Sequence, residues 1–451
     1  MKDRRQGGCQ LKRGGSDEVV AGRSAGPDAR AWIVLGVLAF VYVLNFLDRQ
    51  LLSILAKPIQ DELHLSDSQL GRVGGLYFAL FYCLISIPVG WLADKTNRVR
   101  VLSIACALWS AATIACGLSA SYPQLVAARM AVGIGEAGGV PPSYAIISDY
   151  FPPGRRGTAL GLFNLGPPIG QALGVALGAS IAVAYSWRHA FVVLGAVGLV
   201  AALLVTLVVR EPRQGRLDAA PLPAPGESEV SKPSFAATLA MFFSNPALLL
   251  VALGSGATQI ITYGAGNFTT LFLMREKAMT LHQVSIYYAL LVGICMSGGI
   301  FVSGRVIDRF TRRSKQAYAL IPALSLAAAA PLFLGFIWAP SWPIALMFLI
   351  GPTCLNYFYL SSAVTLVQEE VRPDQRVLSG ALLLLVMNLI GLGLGPTYVG
   401  AMSDLFRSSH PHHSLQFAFL SLLPFYGLAI ALFLALARVL KRKNASPGES
   451  Q

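Results

Sequence analysis

Two carboxylates and two guanidinium groups fall inside stretches of this sequence that are otherwise apolar enough to lie in lipid. Asp48 and Arg49 stand side by side in YVLNFLDRQLLSIL, and Arg129 and Glu136 share ARMAVGIGEAGG. A charge at the centre of a membrane helix costs about 2.5–3.5 kcal/mol on insertion scales, so each must face a partner or water. Adjacent helical residues point about 100° apart, so Asp48 and Arg49 do not simply neutralise each other. Arg129 and Glu136 are two turns apart on one face, about 10 Å along the axis. Taking Lys57 and Tyr122 as membrane exits, Asp48 and Arg49 sit roughly 12–14 Å deep, Arg129 about 10 Å and Glu136 about 20 Å.

The four charges sum to zero, which lowers the cost of burying them together and makes any single protonation consequential. If Asp48 or Glu136 takes a proton, an arginine loses a partner and becomes able to hold an anion. Alternating exposure to water and to the arginines would switch which protonation state is favoured. Asp48 is the principal proton-sensitive candidate, with Glu136 beside it. Arg49 and Arg129 are the anion-binding candidates. A buried ion pair that merely pins one helix to its neighbour is the plainer reading of the same residues.

The elements that must hold these groups are membrane helices. The chain has 451 residues, 55% hydrophobic and 13% charged, against roughly 25% charged in an ordinary soluble domain. Twelve apolar runs of spanning length appear, near 32–57, 69–93, 100–119, 123–149, 157–184 and 189–209, then 246–273, 283–305, 316–339, 342–367, 377–402 and 414–437. The fold expected is an all-α integral membrane protein of twelve helices. Of the 35 Lys and Arg, 27 fall in the two tails and the even-numbered connections. By the positive-inside rule both termini are expected in the cytoplasm, in a cell membrane. The net charge of +13 thus reflects topology rather than a nucleic-acid partner.

Residues 211–245 hold the long polar interior segment, EPRQGRLDAAPLPAPGESEVSKPS at its core, rich in Pro, Gly, Ser and Glu. It divides the chain into a tail at 1–30, a six-helix unit at 31–210, a second at 246–438, and a tail at 439–451. The halves echo each other. GWLADKTNRVR after the second run matches GRVIDRFTRRS after the eighth, pairing Gly90 with Gly304, Asp94 with Asp308 and Arg98 with Arg312. Pro153 and Arg156 likewise match Pro373 and Arg376. Such repeats imply two pseudo-symmetric bundles. Gly90, Asp94, Lys95, Arg98, Asp308, Arg309 and Arg312 are expected at cytoplasmic helix ends, as a gate that pairs with neighbouring helices when that side is closed. A solvated charged loop is the alternative.

The second half offers no charge at mid-depth. It supplies Thr258, Gln259, Thr262, Tyr263 and Asn267, then Asn356 and Tyr357, then Asn388. A site between the halves would have one charged wall and one neutral, aromatic and apolar wall, which suits an amphiphile better than a sugar. Tyr263, Asn267, Asn356, Tyr357 and Asn388 are the substrate-contact candidates there; polar packing between helices is the alternative for each. The Gly-Pro run GLFNLGPPIGQALGVALG brings backbones close and bends its helix. The cluster His410 to His413 reads as a solvated turn, and the cysteines as small packing residues with neither metal spacing nor a disulfide framework. No phosphate-binding loop, zinc spacing or nucleophile arrangement is present, so neither an enzyme nor a cofactor is expected.

G-x-x-x-D-[RK]-x-x-R between the second and third runs, repeated between the eighth and ninth, resembles the loop signature of the major facilitator superfamily. LNFLDR, GWLADKTNR, RMAVGIGEA and VVREPRQG together resemble the spinster family of lipid transporters. That resemblance implies a monomeric, proton-coupled transporter of lysophospholipids or sphingosine-1-phosphate-like molecules, working by alternating access among membrane lipids. It implies Asp48 and Arg49 as the leading proton and substrate residues, with Arg129 and Glu136 in their network. An organic-anion/proton symporter for small carboxylates and a non-transporting lipid sensor are the competing expectations.

Overall fold

The computed structural model describes residues 29–212, 235–372 and 375–445. The expected N-terminal tail, most of the linker, Pro373 of the repeat and the chain's last residues lie outside that range. Among the described residues the secondary structure is helical, without strands.

Among the described residues, eleven helices are long and apolar enough to cross a membrane. In the first half they are Ala29–Ile54, Asp67–Ala93, Arg98–Gly117, Arg155–Ala184 and Trp187–Val208. In the second they are Pro246–Arg275, Leu281–Thr311, Ala317–Trp338, Trp342–Glu370, Leu378–Arg407 and Ser414–Arg442. The remaining expected crossing, the fourth, is made of two shorter helices, Tyr122–Glu136 and Val140–Tyr150. Its interruption has a local cause. Gly138 and Gly139 loosen the chain, and Pro141 and Pro142 fit only the first turn of a new helix because they lack an amide hydrogen. The break comes directly after Glu136, the acidic member of the intramembrane set. Twelve crossings in two six-helix bundles result, the major facilitator architecture.

Local sequence fixes where the helices begin. Ser66 and Gln69 form a reciprocal capping box at the second span, and Thr280 and Gln283 form another at the eighth. Asn97 and Ser186 cap the third and sixth. Each satisfies amide hydrogens that a helix start leaves open.

Inside the first bundle, small residues let backbones touch. A methyl group on Gly174 of the fifth span would lie 2.8 Å from the Leu47 carbonyl oxygen, and one on Gly170 would fall on that of Val43. The expected close packing of the Gly-Pro run is therefore a contact with the first span, next to Asp48 and Arg49.

The halves are joined by bonds on the face away from the chain ends. Asp404 accepts hydrogen bonds from the amides of Asp67 and Ser68, at 3.1 and 2.8 Å. Asp67 is fully buried and pairs with Arg275 at 2.8 Å and Arg407 at 2.6 Å. Nearer mid-membrane, Ser53 Oγ lies 2.9 Å from the carbonyl oxygen of Gly266.

Candidate functional site

The four intramembrane charges come together in the first bundle, but with a pairing that linear spacing does not give. Arg49 Nε lies 2.6 Å from Glu136 Oε2. Asp48, one residue earlier, turns into the bundle, where Thr113 Oγ1 of the third span lies 2.7 Å from its Oδ2. Asp48, Arg129 and Glu136 are 4%, 2% and 1% exposed, so their charges are out of bulk water. The angular step between adjacent helical residues thus separates the two groups. Arg49 faces the space between the halves, and Asp48 faces a small void beside Trp109, Ser110 and Thr113.

Aromatic rings help hold the guanidinium groups. The Arg49 carbon sits 4.8, 5.2 and 5.0 Å from the ring centroids of Phe46, Phe78 and Tyr82. That of Arg129 sits 5.3 Å from Phe78. These are cation–π distances in a desolvated setting, where the contact is strongest.

Hydrogen-bonding capacity is left over at the centre. Nε and Nη1 of Arg129, Oδ1 of Asp48, Oε1 of Glu136 and the Asn45 amide are buried without a protein partner. Buried polar groups are normally satisfied, so these atoms have capacity for a further partner, water included. Thr113 adds a second clue: its hydroxyl is 2.7 Å from Asp48 and 2.8 Å from the Trp109 carbonyl oxygen. One hydroxyl hydrogen serves one acceptor. Both contacts are satisfied together when Asp48 carries a proton and donates it to Thr113, which in turn donates to Trp109.

The space between the halves contains two chambers. One, about 50 Å³, is lined by Arg49, Arg129, Phe78, Tyr263 and Asn267. The other, about 80 Å³, lies against the second bundle and includes Met296, Phe333, Leu349, Asn356 and Tyr357. Four of the five neutral candidates from the second half therefore line a chamber. Asn388 lines neither; it ends the helix Arg376–Asn388 where a wide turn, Leu389–Leu394, begins.

The loop candidates lie elsewhere. Arg98 is held by Asp149 of its own half at 2.7 Å and by Glu211, the first residue of the linker, at 3.0 Å. Lys95 lies over the Trp91 ring at 4.3 Å. Gly90 and Gly304 face open space. Asp308, Arg309 and Arg312 are exposed, while the Asp94 side chain falls outside what the structure describes.

Linear reading missed Thr113, Gln50 and Gln171. Gln50 adjoins Arg49 and Gln171 is, with Asn164, one of two amides in the Gly-Pro run, so both were visible as polar residues in apolar helices. What assigns them to the cavity is the packing of the first span on the fifth.

Comparison with known proteins agrees with this fold. The family model described as Major Facilitator Superfamily matches residues 38–396. An MFS-type efflux pump of Mycolicibacterium smegmatis is 32% identical over 412 residues, covering 91% of this chain and 93% of the pump. Protein spinster homolog 1 of Homo sapiens is 27% identical over 434 residues, covering 90% of this chain and 81% of that protein. The crystal structure of a bacterial homolog of the human lysosomal transporter spinster, inward-facing and unoccupied, superposes with a TM-score of 0.84. It is 29% identical and covers 92% of this chain and 99% of its own.

Proposed function

This chain belongs to the Major Facilitator Superfamily and resembles its spinster members, and from that premise we propose that it is a proton-coupled transporter of lysolipid-like amphiphiles. The observation that carries the reading is Arg129, a buried cation with unused donors, at a chamber that adjoins a larger one of mixed lining, where Met296, Phe333 and Leu349 supply apolar wall beside Thr, Asn and Tyr side chains. An anionic head fits the first, where Arg129 and Arg49 can donate charge-assisted hydrogen bonds to it. The beginning of an acyl chain fits the second, against Met296, Phe333 and Leu349. The chambers are smaller than a whole lysolipid, so the rest of the tail must extend beyond them.

In this reading Glu136 competes with the substrate for Arg49. A proton on Glu136 removes the competing charge and releases Arg49 to join Arg129 on the anionic head. Asp48 takes its own proton on the other side of the first span, hydrogen-bonded to Thr113. Proton and substrate are thereby coupled through adjacent residues without sharing a surface. Burial of both carboxylates is what makes each protonation change the charge balance strongly.

The conformation is assigned as inward-facing, with the bonds around Asp67 closing the outer face and the termini in the cytoplasm. Asp94, Lys95, Arg98, Asp308, Arg309 and Arg312, at the positions of Gly90 and Gly304, form the cytoplasmic gate that closes in the opposite state. The protein works as a monomer in the cell membrane.

The test is flux in proteoliposomes, with oleoyl lysophosphatidate and a small carboxylate as substrates, with and without a pH gradient. Gradient-dependent lysophosphatidate flux is expected. Carboxylate flux alone would instead make the protein an organic-anion symporter, and binding without any flux would make it a sensor.

A further inference from the structure

Three residues line both chambers of the central cavity: Gln50, Gln171 and Gly266. The two glutamines are bonded to each other across the first and fifth spans, Gln50 Nε2 donating to Gln171 Oε1 at 2.9 Å. They form the neck between the arginine chamber and the larger chamber of mixed lining against the second bundle. One such bond uses one hydrogen and one acceptor oxygen. Whichever way the two amides are turned, a carbonyl oxygen and an amino group remain to bind something else.

The neck is held in place by backbone contact. A methyl group on Gly174 would lie 2.8 Å from Gln50 Cβ, so only glycine lets the fifth span approach this closely. Gln171 lies one turn before Gly174 and shares its approach to the first span. The amides are thus carried by two backbones in contact rather than by a loop, which favours a fixed geometry.

We infer that the Gln50–Gln171 pair is a specificity-determining neck that recognises the hydrogen-bonding carbons joining an anionic head to its tail. This rests on the amphiphile reading above. A ligand with its head at Arg129 and its chain at Phe333 must lay its head–tail junction across these amides. A hydroxyl there can both donate and accept, matching the two groups left over; a methylene can do neither and leaves them unpaired. The ligand class selected is a monoacyl phosphate with a hydroxyl-bearing backbone, in preference to the same monoacyl phosphate with a methylene in place of that hydroxyl carbon.

Binding is measured in nanodiscs with two probes, oleoyl lysophosphatidate and its deoxy analogue 3-(oleoyloxy)propyl phosphate, which share the phosphate, the ester and the chain and differ only in the backbone hydroxyl. The wild-type protein is expected to prefer lysophosphatidate by roughly tenfold. In Gln50→Leu, Gln171→Leu and the double variant that preference should fall toward one, through weaker lysophosphatidate binding, with the deoxy analogue changed less than about twofold. Equal affinity of the wild-type protein for both probes overturns the neck, even if no variant folds. So does an equal loss of both probes in the variants, or a preference that survives the double substitution. Failure of the wild-type protein to bind either probe overturns the amphiphile reading, and the neck with it.

Discussion

Arg275 and Asp67 bond the two halves together: Arg275 Nη1 lies 2.8 Å from Asp67 Oδ2, and Nη2 lies 2.9 Å from Oδ1. The same carboxylate receives the hydroxyl of Ser403 at 2.7 Å and the amide of Gln60 at 2.5 Å. A two-point arginine–carboxylate contact with a fully buried acid is the strong form of an ion pair. It has to break if this face is to open. Gly71 and Gly400 reinforce it, since a methyl group on either would fall on backbone of the other half, at Pro396 and Asp67.

Asp67→Asn should therefore shift the protein toward the conformation open on this face. Removing one member of a buried pair costs about 3 kcal/mol, enough to move a conformational balance by roughly a hundredfold. Spin labels at the exposed positions Asp61 and Ser409, one in each half, report the change as a longer distance population. An unaltered distance distribution would remove Asp67 from the gate.

Arg129 should govern charge recognition. Arg129→Gln is expected to lower affinity for oleoyl lysophosphatidate about 30-fold, near 2 kcal/mol for a lost charge-assisted hydrogen bond. Affinity for uncharged monoolein should stay within about threefold, because its head gains nothing from a guanidinium. Arg129→Lys keeps the charge without the planar fork and should fall between the two. Equal losses for both lipids would mean that Arg129 is structural.

Asp48 and Glu136 should separate in their effects. Glu136→Gln frees Arg49 permanently, so lysophosphatidate binding should lose the part of its pH dependence that exceeds the titration of the phosphate itself. Asp48→Asn keeps the bond to Thr113 but cannot exchange a proton, so binding should persist while pH-gradient-driven flux is lost. Gradient-driven flux equal to wild type in Asp48→Asn would take the proton role from that residue.

Much of this arrangement is legible in the sequence, and the reasons differ by residue. The cost of a charge in lipid is large, so Asp48, Arg49, Arg129 and Glu136 announce themselves individually. The repeat of Gly90 and Asp94 in Gly304 and Asp308 announces two related halves. Partner choice is another matter: that Arg49 takes Glu136 while Asp48 takes Thr113 depends on the rotation of three packed helices. Thr113 lies in ordinary apolar surroundings, where a threonine bonding back to its own helix carries no signal. The same holds for Arg98, whose partners come from a distant part of its own half, Asp149, and from the start of the linker, Glu211. Sequence places Arg98 in a loop signature but not against those acids.

Gly170 tests the packing that holds the site. Gly170→Ala puts a methyl group onto the Val43 carbonyl, a rigid backbone neighbour, and should cost about 1–3 kcal/mol through overpacking. Gly161→Ala, where nothing lies within 4 Å, serves as the control. The expected result is a lower melting temperature for the first and little change for the second. Equal melting temperatures would mean that the first and fifth spans are not in fixed contact.

Glu276 gives a pH dependence of stability whose sign can be derived. It follows the seventh span, and its carboxylate accepts the Leu415 amide at 2.8 Å. Burial pushes its carboxyl up to about 7, against the lowering effects of the Leu415 and Gln416 amides and of Arg275 and Lys277. His413, 3.9 Å away, is the facing group from the other element. An unfolded Glu releases its proton near pH 4.3, so between there and about 7 the folded chain holds a proton that the unfolded chain lacks. This contribution to stability is fully present below the unfolded value and is lost as pH rises through the folded one. In a His413→Asn background, which removes the second titrating group, the melting temperature should fall relative to Glu276→Gln as pH rises from about 4.5 to 7.5. A constant difference between the two across that window would mean that Glu276 titrates as an ordinary surface carboxylate.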